Sequence, residues 1–225
     1  MGSVSSERAI FLDFSNTITT VESENVSIYK WLDLLSNRYH IATDIRSAFS
    51  KRRLEKLIDR EKNFRTFMEI NHEVLSELYG ISEIYEEEYY EFHERNLKLR
   101  PDFIDFVNSA KDSFQIVMVT DADNIYTERT VSALGIKEYF DSIVTAESVR
   151  APKPDPVIFN AALREAHNPS KVIFVGDSER RDIEGAKRMK FFTLKMEDNP
   201  APTLADRVVH CFNDVTNIIN DGNLF

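Results

Sequence analysis

After Pro101 the chain settles into a rhythm that leaves few folds open: short, fully apolar runs recur, each separated from the next by a helical stretch or a brief turn. Gln115 to Val119, Ser142 to Thr145, Lys171 to Val175, Phe191 to Lys195 and Val208 to Phe212 read as strands. Between them, Asn124 to Leu134, Pro156 to Ala166 and Arg181 to Lys190 have helical spacing, and Gly135 stands where a helix commonly ends. Continuous apolar strands alternating with helices predict an α/β fold, a Rossmann-like, doubly wound parallel sheet covered on both faces. One further apolar run, Ala9 to Leu12, lies far upstream and closes on Asp13.

The residues between that first strand and Pro101 have a different texture. From about 24 to 98 the periodicity is helical, with no strand: Ile28, Leu32 and Leu35 mark one face, Leu54, Leu57 and Ile58 a second, and Phe64, Phe67, Met68, Leu75 and Leu78 a third. The expected organisation is therefore an α/β core made of residues 1–20 and 99–225, with an α-helical insert over 21–98. The acidic, aromatic segment from Glu83 to Glu94 reads as a solvated helix with an aromatic inner face.

Charge and cysteine content narrow the partners. A net charge of −10 in 225 residues argues against binding nucleic acid or an anionic membrane. The single cysteine, Cys211, rules out an internal disulfide framework and is expected to be a buried strand residue. Met1 to Arg8 lacks the apolar segment of a secretion signal, and no apolar run approaches the roughly 20 residues that cross a bilayer. A cytoplasmic location is the expectation.

In doubly wound sheets ligands bind beyond the carboxyl ends of the strands. The residues found there form a set: Asp13, Thr120, Gly176-Asp177-Ser178 with Asp182 close behind, and Lys153 ahead of a helix opened by Pro156. Carboxylates, a hydroxyl and a lysine point to a divalent cation beside a phosphate. Mg²⁺ prefers carboxylate, carbonyl and water oxygens and is commonly held by one or two protein carboxylates. Asp13 and Asp177 can supply that charge, Lys153 can neutralise a phosphoryl oxygen, and Thr120 can donate a hydrogen bond to another. Taken singly, each has a plainer reading: an aspartate after a strand caps a helix, and a lysine sits on the surface. Their joint order carries the argument. Asp121 and Asp123 either extend the metal site or, the preferred reading, cap the helix from Asn124, and the five histidines have no ligand-like spacing.

These segments resemble the four motifs of the haloacid dehalogenase superfamily: Asp13 with Thr17, then Thr120, then Lys153-Pro154-Asp155-Pro156, then Gly176-Asp177-Ser178 with Asp182. The order and spacing match, the phosphatase-like branch is the nearest in character, and the helical insert resembles that family's cap. The resemblance implies a phosphohydrolase acting on a small phosphorylated metabolite. Asp13 would attack phosphorus to form an aspartyl phosphate that water then hydrolyses. Thr17, Thr120, Asp121 and Lys153 would bind substrate. Asp13, the main-chain carbonyl of Ser15, Asp177 and Asp182 would hold Mg²⁺ or its shell.

Ser15 departs from the pattern. The phosphatase branch has a second aspartate there, which protonates the leaving group and later deprotonates water. A serine hydroxyl cannot exchange protons near neutral pH, and such assistance contributes about 10²–10⁴-fold in rate. Three readings stay open: a slow or otherwise compensated phosphatase, a non-catalytic phospho-ligand binder, and a hydrolase whose serine was placed to trap substrate. The dehalogenase branch lacks the Gly-Asp-Ser metal element, so Asp177 counts against it. A phosphonatase would need a cap lysine, for which Lys51 or Lys56 are the candidates, although Lys51-Arg52-Arg53 reads as a solvated face.

Overall fold

The computed structural model describes residues 7–199 and 201–221. Met1 to Ser6, which carry most of the N-terminal reading above, and the outermost residues of the expected core lie outside that range. Six strands form one parallel sheet: β1 (Arg8–Leu12), β2 (Gln115–Thr120), β3 (Ser142–Thr145), β4 (Lys171–Gly176), β5 (Phe192–Met196) and β6 (Arg207–Val209). Their spatial order is β3-β2-β1-β4-β5-β6. The strand that comes first in the chain thus lies inside the sheet, with Leu12 opposite Met118 on one side and Val175 on the other. Asp13 continues this ladder by donating its main-chain N–H to the Val175 carbonyl at 2.9 Å.

Burial on both faces explains the apolar strands. Ile10, Leu12, Met118, Ile173 and Val175 point into one core layer, and Ala9, Phe11, Val117, Val119 and Phe174 into the other. Period-two alternation separates these sets, as pleating requires.

Four helices stand between β1 and β2 in chain order: α1 (Val21–Arg38), α2 (Ile45–Asp59), α3 (Phe67–Tyr79) and α4 (Glu86–Asn96). Their ends follow local chemistry. Thr20 caps α1, Asp44 caps α2, and Thr66 with Glu69 forms a capping box on α3, which ends at Gly80 with φ of 66°. Trp31 of α1 meets Phe49 of α2 and Tyr89 of α4 edge-on, at 5.9 and 5.0 Å between ring centres. Two connecting segments join this bundle to the sheet. They pair through an antiparallel bridge between Thr19 and Leu99, with Thr20 N–H to the Lys98 carbonyl and Arg100 N–H to the Ile18 carbonyl, both at 2.9 Å.

The remaining helices are α5 (Phe103–Ala110), α6 (Asn124–Ala133), α7 (Ala146–Val149), α8 (Pro156–Glu165), α9 (Gly185–Arg188) and α10 (Phe212–Asn220). Among the described residues no helix is long and apolar enough to cross a membrane.

Three local expectations are corrected. Residues 181–190 are not one helix, because a wide π turn over Glu179–Glu184 precedes the short α9. The last strand ends at Val209, and the apolar run after it opens α10, so Cys211 is a half-buried residue at that helix start and not a buried strand residue. On the α2 face marked by Leu54, Leu57 and Ile58, Leu57 packs against the core while Leu54 and Ile58 are 60% and 55% exposed, and α2 buries Ile45 and Phe49. Asp123 does not cap α6 with its side chain. Its carboxylate instead accepts from the first two N–H groups of α3, Phe67 at 2.7 Å and Met68 at 2.9 Å.

Candidate active site

The carboxyl edge of the sheet gathers the ends of β1, β2 and β4 side by side. β1 delivers Asp13, β2 delivers Thr120, and the turn after β4 delivers Asp177 and Asp182. Asp13, Asp177 and Asp182 each place a carboxylate oxygen within 4.8 Å of the others. Lys153 enters between them from the loop before α8, only 2% exposed. Its ammonium donates to Asp13 Oδ1 at 2.6 Å and to the Val119 carbonyl at 3.0 Å, and it is ion-paired with Asp182 Oδ1 at 2.7 Å.

Each acid is fixed from behind. Thr17 Oγ1 donates to Asp13 Oδ2 at 3.1 Å. Ser178 N–H donates to Asp182 Oδ2 at 2.9 Å, inside the π turn. That turn brings Asp182 so close to Gly176 that a Cβ there would lie 2.5 Å from the Asp182 Cβ, so a residue without a side chain is required. Asn16, with φ of 63°, points its amide at Asp177 Oδ2 at 3.5 Å.

Electrostatics follow from this packing. Asp13, Asp177, Asp182 and Asp121 face two cations, Lys153 and Arg181, which leaves an excess of negative charge. Burial pushes the Asp13 carboxyl up, and Asp182 and Asp177 push it further against the opposing pull of Lys153. Burial and Asp182 likewise raise Asp177. Burial pulls the Lys153 ammonium down, but Asp13, Asp182 and Asp121 outweigh it and hold the group well above its ordinary value. A hard divalent cation would cancel the excess charge, and oxygen is the donor it takes, so the residues fit such an ion.

Asp13, Ser15, Thr120, Asp121 and Lys153 all line one cavity of about 550 Å³ between the sheet edge and the helices α1, α2 and α4. Thr120 Oγ1 accepts from Ala122 N–H at 3.1 Å, which leaves its own proton to donate. Thr17, Asp177 and Asp182 stand outside the lining. Thr17 is fully buried and orients Asp13, and Asp182 contacts the lysine. Asp121 is committed to the scaffold: its carboxylate accepts from Lys153 N–H at 2.8 Å and lies 3.6 Å from Arg181, while its carbonyl accepts from Arg60 at 2.8 Å. Neither Lys51 nor Lys56 lines the cavity, and Lys56 is paired with Glu73 and Glu77.

Two residues of this region are not evident in the motifs. Arg100, 9% exposed, donates to the carbonyls of Asn16 at 2.9 Å and Thr17 at 3.1 Å and pairs with Asp198 at 3.0 Å, bracing the turn after β1. Glu24, in the first turn of α1, lines the cavity and is bonded to the hydroxyls of Thr19 at 2.5 Å and Tyr126 at 3.4 Å. Ser15 lines the cavity beside the same carboxyl, near enough to act on its ionisation. Burial raises this carboxyl, the hydroxyls of Thr19 and Ser15 work against that, and nearby Asp13 adds to it. In sequence Glu24 looks like ordinary first-turn acid on a capped helix, and only the fold brings it to Ser15.

Comparison with known proteins gives the family and the fold. Residues 7–190 match the haloacid dehalogenase-like hydrolase family. The pyrimidine 5'-nucleotidase YjjG of Escherichia coli (strain K12) is 32% identical over 87 residues, 38% of this chain and 39% of that protein. The chain thus spans about two fifths of the length of the curated relatives it matches. A HAD phosphatase from Thermococcus onnurineus superposes with a TM-score of 0.74 at 24% identity, covering 94% of this chain and 97% of that one. The L-2-haloacid dehalogenase of Xanthobacter autotrophicus shares the fold as well, with a TM-score of 0.73 at 15% identity over 94% of this chain and 98% of that one.

Proposed function

The chain belongs to the haloacid dehalogenase-like hydrolases, and from that premise we propose that it is a divalent-cation-dependent phosphohydrolase of a small phosphorylated metabolite. The observation that carries this reading is the buried cluster of Asp13, Asp177 and Asp182 around Lys153. Its excess of negative charge would repel a phosphate ester, so it needs a cation before it can take one. A carboxylate attacking carbon has no such need, which sets dehalogenation aside. The naming of one relative as a nucleotidase points the same way.

In this reading residues 21–98 form a cap over the core. Asp13, Asp177 and the main-chain carbonyl of Ser15 hold Mg²⁺, and Asp182 positions Lys153. The ion supplies charge neutralisation that lets a phosphate dianion approach a carboxylate. Lys153, once its bond to Asp13 is released, and the Thr120 hydroxyl bind phosphoryl oxygens. An Asp13 oxygen forms a bond to phosphorus while the bond to the ester oxygen breaks and its electron pair leaves with the alcohol. Glu24, beside Ser15, is the carboxyl that gives the departing oxygen a proton. It takes one back from the water that then attacks the aspartyl phosphate, releasing inorganic phosphate and restoring Asp13.

The test is a screen of phosphate esters with wild-type and Ser15→Asp protein, with and without Mg²⁺. Phosphate release that requires Mg²⁺ supports the reading. Binding of phosphate mimics without release, in both proteins, would instead favour a phospho-ligand binder.

A further inference from the structure

Helix α2 turns an unusual pair of side chains toward the cavity. Arg53, Leu57 and Arg60 follow one another at helical spacing and share a face, and all three line the space above Asp13. Four arginines reach this cavity, and three have acids beside them: Arg180 pairs with Glu61 at 2.7 Å, Arg181 lies 3.6 Å from Asp121, and Arg60 lies 3.9 Å from Asp123. Arg53 has none among the described residues. It is held in place by neutral groups, donating from Nε to the buried Asn71 Oδ1 at 2.9 Å and stacking 4.9 Å over the Phe67 ring.

Arg60 adds a second, independent observation. Its side chain is 2% exposed, its guanidinium lies 4.5 Å from the centre of the same Phe67 ring, and its Nη2 has no hydrogen-bond partner. Arg53 and Arg60 also repel one another. Two like charges preset in one partly dry cavity, one without an acid and the other with an unused donor, are an arrangement that a bound oxyanion relieves. In a chain of net charge −10 such a site is built against the overall field.

We propose that Arg53 and Arg60 form a second anion-binding subsite, so that the substrate is a phosphate ester whose leaving group itself ends in a carboxylate or a second phosphate. The subsite rests on the phosphohydrolase reading for its place in a reaction, since the first anion is the phosphoryl group at Asp13. Leu54, Leu57 and Ile58 line the same cavity and contact the carbon chain between the two anions.

The experiment measures binding by calorimetry, with Mg²⁺ present, of homologous alkylphosphonates ended by a methyl group, a carboxylate or a second phosphonate. These probes cannot be hydrolysed. The expected result is that an anionic end of fitting chain length improves affinity at least about tenfold over the methyl end. The carboxylate and phosphonate arms decide which anion fits. In Arg53→Met the ratio of anionic to methyl-ended affinity falls to about one, and in Arg53→Lys, which keeps the charge, part of the advantage returns. Equal affinities in wild type at every chain length, or an advantage that survives Arg53→Met, overturns the subsite. Phosphate release from an aryl phosphate is measured on the same preparation. Release without an anion preference overturns the subsite alone, an Arg53-dependent preference without release overturns the hydrolase reading alone, and neither result overturns both.

Discussion

At the scale of single residues, the chemistry turns on how a proton reaches the leaving group next to a serine. Ser15 cannot carry it, and Glu24 is the carboxyl that stands beside Ser15 in the same cavity. Glu24→Gln is therefore predicted to lower turnover of an alkyl phosphate by about 10²-fold, and that of an aryl phosphate, whose leaving group needs little help, by less than about tenfold. Steady-state rates on the two ester types check this, and equal losses on both would show that Glu24 only packs. Ser15→Asp in the Glu24→Gln background should return much of the lost alkyl-ester activity. The motif residues at strand ends were legible in the chain because each follows an apolar run. Glu24 and Arg100 were not, since their roles depend on contacts that cross the neck between the helices and the sheet.

At the scale of elements, the turn after β4 and the aromatic seam of α4 carry the clearest consequences. Gly176→Ala forces a Cβ against Asp182, and a cost of about 1–3 kcal/mol in urea unfolding is expected, with weakened divalent-cation binding. His93 of α4 is 2% exposed among Tyr89 and Tyr126, and its Nδ1 bonds the Tyr89 carbonyl at 2.7 Å. Burial pulls it down to about 4, so it is neutral in the fold. The unfolded chain takes up the proton first. The stability that neutral His93 contributes is complete above about 6.5 and is lost as pH falls toward about 4, a change of order 3 kcal/mol. Denaturant midpoints across that window should fall more steeply in wild type than in His93→Gln, and parallel slopes would contradict it. The sheet was readable strand by strand because buried parallel strands are apolar throughout. The face of Leu54, Leu57 and Ile58 was legible as an apolar stripe of a helix, but periodicity does not say whether a core or a cavity receives each residue. The π turn over Glu179–Glu184 escaped for a related reason, since its spacing differs from a helix by a fraction of a residue per turn.

At the scale of the whole molecule, the sheet edge and the four helices between β1 and β2 border one cavity, with Asp13 and Asp121 on its floor and Arg53 and Arg60 on its α2 wall. A cation that binds the folded floor stabilises the protein by mass action. Mg²⁺ at a hundredfold excess over its Kd should add about 2.7 kcal/mol to unfolding stability, a chelator should remove it, and Asp177→Asn should abolish the response. The central claim is that Asp13 accepts a phosphoryl group at this site, and rapid quenching during turnover of a labelled aryl phosphate tests it most directly. The account predicts Mg²⁺-dependent, hydroxylamine-sensitive label on the peptide that contains Asp13, absent in Asp13→Asn. Phosphate release that continues unchanged in Asp13→Asn, with no label on that peptide in the wild type, would contradict it.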